Sequence, residues 1–392
     1  MKADFFTYQA QTSPYPLALE ISKAKGSFIY DKDGNEYLDF VAGVSANSVG
    51  HSNDKVNKAI VHQLNAYAHV MVYGEFIQEP QLSLCKRLSK TIGKKNYAVY
   101  LTNSGTEATE GALKLAKRVT NRTEIIAAKN AYHGNTMGAM SVSGVEKQNR
   151  AFRPLIPGTR FITYNCEFCL QKITNQTAAV VLETIQGGAG FITPQDNYLQ
   201  KVKHKCEEVG ALLILDEIQT GIGRTGKFWG FENYMVTPDI IITGKGLGGG
   251  MPIGAFIAKK EYMDLLMKNP MLGHISTFAG HPVIAASANA TLDIIENENL
   301  LEKSLHKEKL FRNLLKHDLI EEIRGEGLML AIILKTQNIA ENLVLNCLKE
   351  GLILFFLLFE KRAARITPPL TISDEEIKMG CEIILKELNK LK

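Results

Sequence analysis

Short apolar runs alternate with helical stretches between about residue 54 and residue 250, and this alternation restricts the folds open to the chain. The runs lie at 97–101, 125–128, 178–182, 212–215 and 240–242. Apolar runs of this length are typical of strands that are buried on both faces. Strands separated by helices generally pair side by side and in parallel. We therefore predict an α/β fold in which a mostly parallel sheet is covered by helices.

The two ends of the chain predict a smaller α+β lobe. Residues 25–41 alternate apolar and polar side chains around Asp33 and Gly34, which indicates a β-hairpin. Near the other end, 327–333 is strand-like and 373–390 has the periodicity of an amphipathic helix. The predicted parts are an N-terminal segment of the small lobe over 1–53, a large domain over 54–281 and a C-terminal small domain over 282–392.

Charge and hydropathy exclude some classes of partner. The 392 residues contain 45 Lys and Arg against 41 Asp and Glu, with no long block of like charge, so nothing in the chain calls for nucleic acid. The most apolar run, 352–359, is far shorter than the ~20 residues of a membrane helix and predicts a buried strand. The first residues lack the basic and then apolar order of a secretory signal. We expect a cytoplasmic protein without a membrane partner.

Cys166 and Cys169 are the only close pair among the six cysteines. Their CxxC spacing suits zinc binding or redox chemistry when a second pair or histidines follow at ligand spacing, and none follows. Cytosolic thiols normally stay reduced. We expect two reduced thiols near a surface loop, and no metal site.

A strand, a loop and a helix follow one another over 97–119. Ser104 and Glu107 have the spacing of a capping box. Gly105, at the first helical position, allows a ligand close to the backbone, and Thr106 adds a hydroxyl. Free amides at a helix start attract phosphate. The segment predicts either a phosphate site or an ordinary capped helix.

Two further strands end at charged residues. The run 212–215 leads to Asp216, at the sheet edge where open α/β folds bind ligands. Metal binding by Asp216 and Glu217, and a simple strand end, are the alternatives. The run 240–242 leads to Lys245, where burial would favour the neutral amine that a Schiff-base nucleophile requires. A solvated lysine in a glycine-rich loop is the alternative.

These three segments together match what pyridoxal 5'-phosphate needs. A phosphate cradle, a strand-end Asp and a desolvated Lys, in this order on successive strands, suit its phosphate, its pyridine nitrogen and its aldehyde. Over nearly its whole length the chain also resembles the class III (ω-amino acid) aminotransferases, in particular the acetylornithine and ornithine aminotransferases. The resemblance implies fold type I, the aspartate aminotransferase-like fold, and a small-molecule amine donor with a 2-oxo acid acceptor.

The resemblance implies roles for individual residues. Tyr132 and His133 lie where the family has an aromatic residue stacked on the cofactor ring. Glu183, with Gln186, resembles the family's E-P-x-Q-G stretch. The text from Asp216 to Gln219 resembles D-E-x-Q, in which the Asp keeps the pyridine nitrogen protonated and the Gln lies near the ring hydroxyl. Lys245 matches the Schiff-base lysine.

Two more segments complete the resemblance. Ser276-Thr277-Phe278 matches the segment whose Thr reaches the cofactor phosphate of the neighbouring subunit, which implies a homodimer with shared active sites. Arg365 matches the arginine that binds the α-carboxylate of glutamate or 2-oxoglutarate, a contact suited to a bidentate fork. A surface arginine after a strand is the alternative. The implied reaction transfers an amino group from an ornithine-like, acetylornithine-like or other ω-amine donor to 2-oxoglutarate, giving glutamate.

Three positions depart from the acetylornithine and ornithine pattern. Asn135 stands where an arginine usually follows His-Gly, and a neutral amide cannot replace a charge-assisted pair. Gly188 replaces the glutamate that masks the C-terminal arginine in ornithine-type enzymes, and Thr184 replaces a proline. We hypothesise that Arg365 stays open. A 4-aminobutyrate or other class III transaminase, an aminomutase of the same fold, and a nucleotide-binding regulatory protein are the alternatives.

Overall fold

The computed structural model describes residues 1–71, 73–94 and 96–392. Its strands are β1 (Ile21–Lys25), β2 (Phe28–Asp31), β3 (Glu36–Asp39), β4 (Tyr97–Thr102), β5 (Glu124–Ala128), β6 (Thr159–Ile162), β7 (Thr177–Glu183), β8 (Leu212–Asp216), β9 (Ile240–Gly244), β10 (Gly254–Lys259), β11 (Ile320–Glu326), β12 (Met329–Leu334), β13 (Leu352–Ile353), β14 (Phe355–Phe356) and β15 (Ala363–Ile366). Its α-helices are α1 (Lys2–Tyr8), α2 (Ala42–Ser45), α3 (Asp54–Ala66), α4 (Glu79–Lys90), α5 (Gly105–Thr120), α6 (Met137–Ser141), α7 (Glu146–Asn149), α8 (Tyr198–Val209), α9 (Lys260–Met263), α10 (Pro282–Asn297), α11 (Leu300–Leu314), α12 (Gln337–Lys349) and α13 (Asp374–Lys390).

The central sheet has seven strands in the order β4-β10-β9-β8-β7-β5-β6. The pairs β9-β8, β8-β7, β7-β5 and β5-β6 are parallel, whereas β10 runs antiparallel to both of its neighbours. The predicted α/β class with a mostly parallel sheet is therefore confirmed. The sequence prediction missed β6, an edge strand that includes polar Thr159 and Arg160, and β10, which begins directly after a glycine-rich loop.

The order of the strands corrects one step of the prediction. The phosphate segment after β4 and Lys245 after β9 do not follow neighbouring strands, because β10 lies between them. Two glycines bring these segments together nonetheless. A Cβ on Gly244 would lie 3.6 Å from Gly105, and one on Gly254 would overlap the carbonyl of Ser104. The start of α5 therefore packs directly against the end of β9.

Both termini contribute to smaller sheets. The order β1-β2-β3-β13 joins N-terminal strands to a strand from the C-terminal part, and β11-β12-β15-β14 forms a second four-stranded sheet. The predicted hairpin is confirmed, since Phe28 pairs with Leu38 across the turn. The predicted C-terminal helix is confirmed as α13, with a capping box between Ser373 and Glu376. The domain boundaries at 53/54 and 281/282 stay predictions.

The prediction of one buried strand over 352–359 is wrong. The segment crosses from one small sheet to the other, so β13 pairs with β3 while β14 pairs with β15. Leu354 and Leu357 are buried, but Phe355 is 40% and Leu358 is 42% exposed. The apolar run therefore divides its side chains between the core and a surface.

The expectation of two reduced thiols is also wrong. Cys166 and Cys169 form a disulfide, with their Cα atoms 5.3 Å apart. The tight turn between them, in which the amide of Cys169 donates to Cys166 Sγ at 3.3 Å, brings the two side chains together. The described ranges hold no metal-binding group of three or more His, Cys, Asp or Glu side chains, and no helix in them is long and apolar enough to cross a membrane. A cytoplasmic location stays a prediction.

Helix α5 is held on the central sheet by a close contact at Gly111. A Cβ at this position would lie 2.3 Å from Cε1 of Phe256 in β10, a ring that is fully buried. The absence of a side chain at Gly111 allows the helix to approach the sheet, and this sets the position of the helix start.

We predict that Gly111→Ala lowers the free energy of unfolding by about 1–3 kcal/mol, because an added methyl group in a filled core forces neighbouring atoms to move. Elsewhere in a helix the same change stabilises by about 1 kcal/mol. Scanning calorimetry measures the shift of the melting temperature. The loss should shrink in a Phe256→Leu background, and a higher melting temperature for Gly111→Ala alone would contradict this account.

Candidate active site

A pocket of about 650 Å³ lies at the carboxyl edge of β7, β8 and β9. Most of the residues that the sequence singled out line it: Gly105, Thr106, Tyr132, His133, Asn135, Glu183, Asp216, Gln219, Lys245 and Arg365. The lining residues that the sequence analysis did not single out include Val44, Gln148, Ile185, Phe355, Phe356 and Leu358. These belong to segments without a motif, and their place in the pocket follows from the fold.

The start of α5 forms one wall. Ser104 Oγ accepts a hydrogen bond from the amide of Glu107 at 3.4 Å. The carboxylate of Glu107 accepts from the amide of Asn103, at 2.9 Å, and not from that of Ser104, so the predicted capping box is only half formed. Gly105 and Thr106, with the other amides of the first turn, lie at the pocket, where a helix N-terminus favours an anion.

Two carboxylates lie side by side at the strand ends. Glu183 of β7 pairs in register with Asp216 of β8. Glu183 accepts hydrogen bonds from the amides of Tyr132, at 3.3 Å, and Gly187, at 2.9 Å. Burial raises the pKa of Glu183 to about 7, and the charge of nearby Asp216 acts in the same direction.

Asp216 is held in place by a buried histidine. His133 Nδ1 donates to Asp216 Oδ2 at 2.7 Å, and the other oxygen of Asp216 accepts from the amide of Ile218 at 2.9 Å. Burial favours the neutral imidazole, but the hydrogen bond and charge of Asp216 outweigh it and raise the pKa of His133. No local pattern in the sequence predicted this His–Asp pair.

The alternative of a metal site shared by Asp216 and Glu217 is not supported. Consecutive residues of a strand point to opposite faces. Glu217 points away from the pocket and accepts hydrogen bonds from the amides of Gly230, at 2.7 Å, and Phe231, at 2.9 Å. Thr184, which replaces a proline of the resembling family, donates to the same carboxylate at 2.5 Å. Glu217 and Thr184 therefore belong to the core.

Lys245 follows β9 directly and has a left-handed backbone, with φ of 42°. Its turn is fixed by buried hydroxyls, since Ser48 Oγ donates to the carbonyl of Gly246 at 2.6 Å. Burial, followed by the charge of Arg365, lowers the pKa of Lys245 to about 8, although Asp216 and Glu183 act in the opposite direction. Lys245 is partly buried and lines the pocket, so the alternative of a fully solvated loop lysine is not supported.

Arg365 lies within β15 and is only 5% exposed, so the alternative of a surface arginine after a strand is wrong. Its Nε and Nη1 are buried and have no hydrogen-bond partner among the described residues. Burial lowers its pKa to about 10. A buried guanidinium with free N–H groups is a site for a carboxylate.

The other four candidates differ in their surroundings. Gln219 lines the pocket and donates to Ser45 Oγ at 3.2 Å. Gln186 is buried in the core, where its side chain donates to the carbonyl of Lys129. Ser276 and Thr277 do not line the pocket of their own chain. Ser276 accepts a hydrogen bond from Asn103 at 2.9 Å, beside the start of α5.

The family model described as aminotransferase class-III matches residues 8–388. The chain therefore belongs to the class III aminotransferases, and the resemblance identified from the sequence is confirmed.

Individual relatives agree on this class and differ in their substrates. An acetylornithine aminotransferase from Caldanaerobacter subterraneus subsp. tengcongensis is 38% identical over 391 residues, which cover 96% of this chain and 96% of the relative. A LysW-aminoadipate semialdehyde/glutamate semialdehyde transaminase from Sulfolobus acidocaldarius is 37% identical over 325 residues, 81% of this chain and 82% of the relative. An ornithine aminotransferase from Toxoplasma gondii, solved with partial occupancy of PLP at its active site, has a TM-score of 0.92 at 31% identity and covers 100% of this chain and 94% of its own.

We predict that, in the protein free of cofactor, Lys245 reacts with an amine-directed reagent with a pH midpoint of about 8. At pH 7.5 this leaves about a quarter of its amine neutral, against about 0.1% for an ordinary lysine. Peptide mapping of the labelled protein measures the midpoint. Arg365→Gln removes a nearby positive charge and should move the midpoint upward. Arg362→Gln should not, because Arg362 is partly exposed and pairs with Glu321 and Glu360. A midpoint near 10 would contradict the buried environment.

Proposed function

We propose that this aminotransferase uses pyridoxal 5'-phosphate to move an amino group from an ω-amine donor to a 2-oxo acid. The observation that carries the proposal is the juxtaposition of Lys245 with Asp216 at the ends of neighbouring parallel strands, beside the start of α5. Bound pyridoxal phosphate supplies an aldehyde that exchanges between amines and a ring that withdraws electrons from the reacting carbon.

The residues present fit this group. The amides of Gly105 and Thr106 and the hydroxyl of Thr106 suit its phosphate. The carboxylate of Asp216, oriented by His133, suits its protonated pyridine nitrogen. Tyr132 is available to stack on the ring, and Gln219 to approach the ring hydroxyl. These roles are inferred from the geometry together with the family resemblance.

Lys245 would hold the cofactor through its amine, and the same amine, when free, would move a proton to and from the reacting carbon of the substrate. Its lowered pKa supports both tasks, because a substantial fraction is neutral near pH 7.5. The reaction balances without an outside oxidant: the carbon that loses NH₂ becomes a carbonyl, and the ketone of the acceptor becomes an amine.

Arg365 is proposed to bind the α-carboxylate of the 2-oxo acid. At Gly188 there is no side chain that could mask it, and a Cβ would lie 2.8 Å from the ring of Phe359. The hypothesis that Arg365 stays open is therefore supported, and it implies weak discrimination between ω-amines and α-amino acids. That the acceptor is 2-oxoglutarate stays a prediction from the resemblance.

The first test is the visible spectrum of the protein loaded with pyridoxal phosphate, before and after borohydride. We expect a yellow form whose reduction attaches the pyridoxyl label to Lys245, and no such label in Lys245→Ala. A colourless protein, or a label on another residue, would exclude the proposed function.

The second test measures how fast candidate amines bleach the yellow form of the protein. If Arg365 is open, the rates for ornithine, acetylornithine, 4-aminobutyrate and glutamate should lie within about tenfold of one another, a difference of about 1.4 kcal/mol. A strict preference for acetylornithine would contradict this. An aminomutase would turn over without any 2-oxo acid, which separates the second candidate function.

We also propose a homodimer with shared active sites. Two segments carry exposed apolar side chains, which are Met71, Phe76 and Ile77 in one and Met271, Leu272, Ile275 and Phe278 in the other. The ring centroids of His69 and Phe278 lie 4.9 Å apart, which joins the two segments. A contiguous exposed apolar patch marks an interaction surface. Thr277 lies in the second of these segments and outside its own pocket, as expected if it serves the neighbouring subunit.

Mixed dimers test the shared site. Lys245→Ala is expected to be inactive, and Thr277→Ala to bind the cofactor about tenfold more weakly, the loss of a hydrogen bond to a charged group. Co-expression of the two variants should restore one intact site per mixed dimer, if Thr277 acts in the other subunit. No restoration, or a monomer in analytical ultracentrifugation, would contradict the proposal. Ile77→Glu should dissociate the dimer, and Phe168→Glu, at another exposed apolar position, should not.

A further inference from the structure

Cys166 and Cys169 differ from the other four cysteines of the chain in their surroundings. Both are half-buried in a turn whose two middle residues are exposed, and Phe168 between them is 77% exposed. Burial raises the pKa of the remaining four thiols, which belong to Cys85, Cys206, Cys347 and Cys381. Thiols in such apolar surroundings are unreactive. The disulfide is therefore the sulfur pair that a thiol reagent in solution can attack while the protein is folded.

The two residues directly before this pair hold the loop that follows β7. The hydroxyl of Tyr164 donates to the carbonyl of Thr184 at 2.7 Å. The side-chain amide of Asn165 donates to the carbonyl of Thr193 at 2.9 Å. The two side chains therefore bind both ends of the loop 184–193.

This loop reaches the candidate active site. Glu183 at the end of β7, and Ile185 and Gly188 within the loop, line the pocket. The carbonyl of Glu183 also lies 3.2 Å from the hydroxyl of Tyr164. Because Tyr164 lies only two residues before Cys166, a change in the turn that carries the disulfide acts directly on the hydrogen bonds that hold the loop.

We propose that Cys166 and Cys169 form a thiol–disulfide exchange site that a dithiol reduces in the folded protein, and that reduction loosens the loop 184–193 at the pocket. In the oxidised form the closed turn fixes the positions of Tyr164 and Asn165, and in the reduced form this covalent constraint is lost. The exchange is independent of the proposed function, whereas its consequence for the reaction rests on that function. Disulfides of cytosolic proteins, the class predicted for this chain, are usually catalytic or redox-sensing.

One hydrogen bond decides where the exchange begins. The amide of Cys169 donates to Cys166 Sγ at 3.3 Å, and such a bond stabilises a thiolate. Cys166 is therefore the better leaving group. A dithiol attacks Sγ of Cys169 and releases the thiolate of Cys166, and its second thiol then displaces Cys169. The protein disulfide gains two electrons and two protons, and the dithiol becomes a disulfide.

Chemical reduction tests the exchange site. The folded, air-oxidised protein is incubated with dithiothreitol and alkylated, and the mass of the tryptic peptide 161–172, which contains both cysteines, is measured. We expect two alkyl groups after reduction and none before it, with the other four thiols unmodified until the protein unfolds. A short pulse of the monothiol 2-mercaptoethanol should expose Cys166 to alkylation first. A pair that stays reduced in air, or that reacts only after unfolding, would overturn the proposal.

Hydrogen exchange measures how tightly the loop is held. The amides of Gln186 and Ile192 each donate to the carbonyl of the other, at 2.9 Å and 3.1 Å. We expect both amides to exchange about tenfold faster in the reduced protein, because opening the turn removes a constraint on the loop. The double variant Cys166→Ser/Cys169→Ser should match the reduced form and should not respond to dithiothreitol. Equal exchange in the two forms would overturn the link to the pocket.

Two tyrosine variants test the route from the turn to the loop. Tyr164→Phe removes the hydroxyl that holds Thr184 and should speed the exchange of the same amides in the oxidised protein. Tyr198→Phe is the matched control, because its ring packs edge to face on that of Tyr164, with centroids 5.2 Å apart. Its hydroxyl is buried and has no hydrogen-bond partner among the described residues. An equal effect of the two variants, or no effect of Tyr164→Phe, would overturn this route.

Kinetics in the two redox forms separate failure of this inference from failure of the proposed function. Reduction should raise KM about threefold or more for the amine that bleaches the yellow form fastest, with a smaller change in kcat, because the loop lines the pocket. If no amine bleaches the loaded protein, the proposed function is wrong, while the reduction and hydrogen-exchange results still support the exchange site. If an amine does so and KM is the same in both forms, the proposed function survives and the inferred effect on the pocket is overturned.

Discussion

The site depends on buried charges that compensate each other at one edge of the central sheet. Parallel strands deliver Glu183 and Asp216 to the same edge, in register, where two carboxylates would repel each other. His133 and the backbone amides of Tyr132, Gly187 and Ile218 hold them. Lys245 lies partly buried beside these negative charges. Burial lowers the pKa of its amine to about 8, and the charges of Asp216 and Glu183 limit the decrease.

Close backbone contacts bring the helix start into this arrangement. Because β10 separates β4 from β9, a cradle after β4 is one strand away from Lys245. Gly244 and Gly254 allow the loop after β4 to pack against the strand ends, and Gly111 allows α5 to lie close on Phe256. The start of α5 and the amine of Lys245 thus lie on elements that pack directly against each other.

Arg365 does not take part in this compensation of charges. It is buried in a different sheet, and its Nε and Nη1 have no hydrogen-bond partner among the described residues. A buried cation without a partner is costly to the folded protein and is useful when a substrate supplies the missing charge. Under the proposed function, Arg365 would therefore serve the substrate, whereas the paired charges around Lys245 would serve the cofactor.

Sequence patterns were sufficient wherever the information was local. The period of apolar residues predicted the parallel strands, the hairpin and α13, and short motifs around Lys245, Asp216 and Arg365 predicted where the chemistry lies. These signals depend on neighbouring residues alone, so they can be identified without coordinates. The same patterns failed to predict β6 and β10. They also predicted a single strand over 352–359, where one apolar run contributes strands to two sheets.

The sequence by itself determined the family and the fold class, and it singled out Asp216, Lys245 and Arg365 as candidate site residues. Only the tertiary structure decided that His133 bonds to Asp216, that Glu217 belongs to the core, and that Phe355 lies across from Arg365. The physical reason is that these contacts join residues remote in the chain, and the faces on which they meet are set by register and packing rather than by local periodicity.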